Sequence, residues 1–159
     1  MPWQLPLADS HPMVIVVIAI TDHVLPAMCK RKWGQIITST PSGVAAPVPN
    51  LGISNAMRLA LVGWSKTLAL EVGCNGITSN VILAGRLATQ RIQFVDAQKA
   101  ERENRPVQDV MATSAASIPL GRYGRPQKYG DVVTSLASER ASYTTGSVIR
   151  VDGSLILSV

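Results

Sequence analysis

Residues 34–85, GQIITSTPSGVAAPVPNLGISNAMRLALVGWSKTLALEVGCNGITSNVILAG, decide the fold. Gln35 to Thr40 is a short apolar, β-branched run bounded by Gly34 and Pro41, which predicts a buried strand. Pro41 to Asn50 holds three prolines and a glycine and predicts a loop. From Ser54 to Val72 the residues Met57, Leu61, Trp64, Leu68 and Val72 recur at three- and four-residue steps, the period of an amphipathic helix. Gly73 and Gly76 end that helix. Ile77 to Leu83 predicts a second strand, broken by Ala84-Gly85. A strand, a helix and a strand in succession imply a parallel pair joined by a crossover.

Outward from this unit the same reading continues. Residues 1–12 contain three prolines and no period, an irregular lead-in. Residues 13–31 read as a buried apolar segment with a basic end, a helix with Pro26 kinking it or marking a first turn, against which the β-branched run Val14 to Ile18 pulls toward strand. Residues 90–117 are polar and helical, interrupted by Pro106. Gly121 to Pro126 is a loop, Lys128 to Glu139 a helix, and Ser147 to Asp152 a third strand turning at Gly153. The expected fold is α/β, a partial Rossmann-like parallel sheet of about three strands with flanking helices. Such sheets are normally covered on both faces.

Composition bounds the function. The chain has 159 residues, 47% hydrophobic and 16% charged, which fits one packed domain with an aliphatic core. The net charge of +5 comes from scattered basic residues, and the one tight cluster, Lys30-Arg31-Lys32, suits a helix C-terminus. No nucleic-acid partner is expected. The apolar run Met13 to Ile20 is shorter than the roughly 20 residues a bilayer needs, so no membrane partner is expected either. Cys29 and Cys74 form no CxxC and have no histidine at metal spacing, so no metal site is expected and a reducing, cytoplasmic location is.

Several stretches, taken together over residues 13–159, resemble short-chain dehydrogenases/reductases, especially the branch like 3-oxoacyl-acyl-carrier-protein reductase. They are Gly34-Gln35-Ile36-Ile37, Lys66-Thr67-Leu68-Ala69-Leu70-Glu71, Gly76-Ile77-Thr78-Ser79-Asn80-Val81 continuing to Ala84-Gly85, Gly121-Arg122-Tyr123-Gly124-Arg125-Pro126, and Thr145 to Gly153. The resemblance implies the C-terminal part of an oxidoreductase domain using NADP or NAD on a small carbonyl substrate. The Gly-rich turn that would cradle the cofactor pyrophosphate at a helix N-terminus is absent from the sequence, so a truncated chain without tight dinucleotide binding is expected.

The family's chemistry uses a Tyr as general acid, a Lys four residues on, and a Ser in the preceding loop. Carried over without gaps from Lys66 and Gly34, the Tyr position is Ser54 and the Lys position Arg58. The Ser position is Pro41, and a one-residue slip puts Thr40 or Ser42 there. An aliphatic hydroxyl lacks the phenol's pKa of about 10, so Ser54 either caps the helix or is a relic of the catalytic position. Ala84, Gly85, Leu87 and Thr89 resemble the segment that touches the nicotinamide end. The resemblance also implies a homo-oligomer formed through helices 13–31 and 54–72. Two functions stand against each other: an impaired oxidoreductase, and a non-catalytic scaffold or oligomerisation partner.

Overall fold

The computed structural model describes residues 7–48 and 51–158. Three strands, β1 (Gly34–Pro41), β2 (Ile77–Ala84) and β3 (Val148–Val151), form one parallel sheet in the order β1-β2-β3. Gly34 pairs with Ile77 and Pro41 with Ala84, so β1 and β2 run level over their whole length. Val81 to Ala84 pair with Val148 to Val151. The expected parallel α/β layer is therefore what the chain forms. β2 lies in the middle and is buried from Ile77 to Leu83, as a strand flanked on both edges and both faces must be.

Helices α1 (Leu7–Arg31) and α2 (Gly52–Val72) cover one face of the sheet. The 3.6 period of α2 turns Leu61, Ser65, Leu68, Ala69 and Val72 inward. Leu68 and Val72 meet Ile36 and Ile77 there, with Leu25, Met28 and Trp64 packed around them. Helix α5 (Pro126–Leu136) covers the other face, bringing Val132, Val133 and Leu136 onto Ile37, Ile82 and Ile149. Helices α3 (Gln90–Glu103) and α4 (Val107–Ala116) form a hairpin beyond the end of β2. Asn104 turns between them in the left-handed region (φ 49), and Pro106 opens α4 rather than breaking one long helix.

Two expectations need correction. Residues 1–6 of the expected irregular lead-in lie outside the described residues, but from Leu7 the chain is already helical, and the helix runs through both Pro12 and Pro26. Each proline costs a single backbone hydrogen bond, and packing of Val14, Leu25 and Met28 against the rest of the fold offsets that loss. The apolar run in α1 is also not buried as a whole. Val14 and Thr21 are buried, whereas Ile15, Val16 and Ile20 are half or more exposed. By length and composition Met13–Arg31 would also suffice to cross a membrane.

Two glycines fix how the elements meet. Gly76 has φ +69, and a Cβ there would lie 2.4 Å from the Lys32 carbonyl, so only glycine lets the chain enter β2 beside the end of α1. Gly85 leaves β2 so close to β3 that a Cβ would sit 2.4 Å from Asp152 Cα.

Candidate functional site

The site is assembled at the carboxyl ends of the strands, where open parallel sheets bind ligands. β1 ends in the turn Ser42–Val44, which packs against the first turns of α2. Gly43 approaches Asn55 closely, and Asn55 Nδ2 donates to the Val48 carbonyl at 3.0 Å, tying this loop to the helix. Ser42 is thus held beside the helix turn that carries Ser54.

Ser54 does not cap α2. The helix begins at Gly52 with Leu51 as its cap residue and no capping side chain. Ser54 Oγ instead accepts from Arg58 Nε at 3.4 Å, one turn along, and Arg58 Nη2 reaches Met13 Sδ on α1 at 3.4 Å. Both residues are half-buried. The pair expected from the motif positions is therefore in contact, with the guanidinium on the oxygen of the hydroxyl.

The loop after β2 carries the other candidate residues. Gly85 N–H donates to the Val151 carbonyl at 3.0 Å. Leu87 bridges to Gly124, with Ala88 N–H on the Gly124 carbonyl at 2.8 Å and Gly124 N–H on that of Arg86 at 2.9 Å. Thr89 caps α3, its Oγ1 accepting from Ile92 N–H at 3.4 Å. Asp152 is a turn residue, as its Oδ1 and Oδ2 accept from the N–H groups of Ser154 and Ile156, both at 3.0 Å.

Sequence reasoning missed the polar knot beneath this loop. Asp96 on α3 is fully buried. It accepts from Arg86 Nη1 at 3.0 Å and from the Tyr123 hydroxyl at 2.7 Å. Burial, with the Asp96 hydrogen bond adding to it, holds the Tyr123 phenol above its ordinary pKa. The three residues come from three separate segments, so no local spacing announces them. A cleft of about 470 Å³ is lined by Val48 and Leu51 before α2, by Arg86, and by Val95, Gln98, Lys99 and Arg102 of α3, and its wall includes none of Ser42, Ser54, Arg58, Ala84, Gly85, Leu87 and Thr89.

This architecture has known counterparts. A family model described as enoyl-(acyl carrier protein) reductase matches residues 13–155. Nodulation protein G of Azospirillum brasilense is 34% identical over 137 residues, 86% of this chain and 51% of that protein. The 3-oxoacyl-(acyl-carrier-protein) reductase FabG of Salmonella typhimurium is 34% identical over 143 residues, 89% of this chain and 53% of its own length. Among solved structures, actinorhodin polyketide ketoreductase, crystallised with NADPH, superposes with a TM-score of 0.84 at 26% identity over 90% of this chain and 56% of that one. The chain belongs to the short-chain dehydrogenase/reductase family. It spans about half the length of the curated relatives it matches.

Proposed function

We propose that the chain is part of a carbonyl-reducing or alcohol-oxidising, NAD(P)-linked oxidoreductase with impaired catalysis, in which Ser54, Arg58 and Ser42 occupy the catalytic side and Ala84, Gly85, Leu87 and Thr89 the cofactor side. The observation that carries this reading is the contact of Arg58 Nε with Ser54 Oγ at 3.4 Å, at the two positions that resemble the family's catalytic pair, in the helix that follows the carboxyl end of β1. The loop that carries Ala84, Gly85, Leu87 and Thr89 leaves the carboxyl end of the adjacent strand β2.

The described residues fit the nicotinamide end of such a cofactor. The Leu87 N–H is taken by no acceptor among the described residues, and Thr89 presents a hydroxyl at the loop's end. When bound, a reduced nicotinamide supplies hydride. The chain's own part is to hold the carbonyl oxygen and deliver a proton to it. Arg58 donates to Ser54 Oγ, which leaves the Ser54 O–H proton free to point at a carbonyl oxygen. That hydroxyl can orient a substrate, but it is a poor general acid, because its pKa is far from neutrality and a guanidinium is not the compact ammonium that tunes a phenol. Cofactor affinity and turnover by this chain are accordingly low. The reading includes a cytoplasmic location and self-association through α1 and α2, supported by the exposed side chains of Ile15, Val16, Ile20, Leu59 and Leu70.

Two measurements test it. Isothermal titration with NADPH should give no submicromolar binding. NADPH oxidation with an acetoacetyl thioester should be slow and should rise when Ser54→Tyr and Arg58→Lys are combined. Brisk turnover in the unaltered chain that vanishes in Ser54→Ala would show instead that Ser54 is a competent acid.

A further inference from the structure

The charge of the cleft says something about what enters it. On α3, Val95, Gln98, Lys99 and Arg102 stand at i, i+3, i+4 and i+7, so they share one face of the helix, and all four line the cleft. Val48 and Leu51 form the opposite wall, each with 43% of its surface exposed. Arg86 closes the end. The ionisable residues on the wall are therefore Arg86, Lys99 and Arg102, and among the described residues no carboxylate lines it.

The nearby acids are largely engaged elsewhere. Asp96 is buried beneath the loop and holds one nitrogen of Arg86, leaving the other donors of that guanidinium uncommitted to it. Glu103 lies 3.9 Å from Lys99 but 3.3 Å from Arg105, with which it forms the closer pair. Arg102 is in no ion pair among the described residues. A cleft with cations on one side focuses a positive potential, and exposed apolar surface on the other side rewards a hydrocarbon that covers it.

We propose that this cleft selects small amphipathic anions: a molecule with an apolar body laid on Val48, Leu51 and Val95 and a carboxylate or phosphate held by Lys99 and Arg102. This goes beyond the functional reading above, since the cleft wall holds none of the residues proposed there for catalysis or cofactor binding. The volume of about 470 Å³ suits a small molecule.

The test is calorimetric titration of the whole chain, without nucleotide, with three ligands sharing one tail: octanoate, octyl phosphate and octanol, each below its aggregation concentration. Octanoate and octyl phosphate should bind, and octanol should bind at least about tenfold more weakly. A preference between the two anions identifies carboxylate or phosphate as the natural head. Lys99→Met with Arg102→Met should weaken both anions by about tenfold and leave octanol unchanged, whereas Gln98→Lys on the same face should tighten them. These positions are partly or largely exposed and the variants should fold, which circular dichroism checks. Equal binding of octanol and octanoate, unaltered octanoate binding in the double variant, or no octanoate binding at millimolar concentration would each overturn the proposal. Because no cofactor is present, brisk Ser54-dependent NADPH turnover together with intact, charge-dependent octanoate binding would sink only the reading of impaired catalysis.

Discussion

The Tyr123 hydroxyl donates to Asp96 Oδ2 at 2.7 Å while Arg86 holds Oδ1, so one buried carboxylate joins α3 to the loops after β2 and before α5. The Tyr123 pKa is raised in the folded chain, by burial first and by Asp96 next. The stability this contributes is therefore fully present below the unfolded value of about 10 and is lost as pH climbs through the raised folded value. Tyr123→Phe should cost about 2 kcal/mol at pH 8, and the gap to the parent should narrow above pH 10. Urea unfolding of both proteins from pH 8 to 11 measures this, and a gap that stays constant would contradict it.

Ser65 on α2 and Ser79 on β2 share a hydrogen bond of 2.8 Å with both residues almost wholly buried. Ser65→Ala strands the Ser79 hydroxyl and should cost about 1–2 kcal/mol. Removing both hydroxyls should cost less than the sum of the two single changes, by about 1 kcal/mol. A double-mutant cycle in urea gives the coupling directly, and strict additivity would mean the hydroxyls do not bond.

Gly85 and Gly63 should respond oppositely to alanine. At Gly85 the new methyl meets Asp152 backbone and must push β3 from β2, at a cost of about 2–3 kcal/mol. At Gly63, within α2, a Cβ has nothing within 4 Å, and Gly63→Ala should stabilise the chain by up to about 1 kcal/mol through helix propensity. Thermal melts of the two variants should move in opposite directions.

Self-association should depend on the exposed face of α1. Val16, Ile20 and Val24 recur every four residues and are all exposed. Light scattering at micromolar concentration should find a dimer or larger species, and Ile20→Glu should shift it toward monomer. A monodisperse monomer from the unaltered chain would refute this.

The strands and α2 were legible because their signals are local: β-branched runs bounded by Gly or Pro, and a clean 3.6 period. The start of α1 was not, since Pro2, Pro6 and Pro12 read as irregular chain, while the packing of Val14 and Leu25 that sustains the helix is tertiary. Ser54 read as a cap because a serine before an apolar run commonly is one, yet the helix had already begun at Gly52. The contact of Ser54 with Arg58 follows from a four-residue spacing visible in the sequence. The cleft does not: Arg86 meets Val48 and Lys99 only once β1 and β2 have paired level and brought their ends together.

The strand order leaves β1 at one edge of the sheet among the described residues, with a groove of about 270 Å³ running between it and Val17, Ile20 and Thr21 of α1. Amide hydrogen exchange should therefore be split within the sheet. The protons of Ile82 and Leu83, on the central strand, open only with the whole molecule, whereas every second amide of β1 faces the groove and exchanges early. A strand that seats there, from this chain or another, would slow alternate residues from Ile36 to Thr40 and leave those between them untouched, so the exchange pattern alone would record the contact.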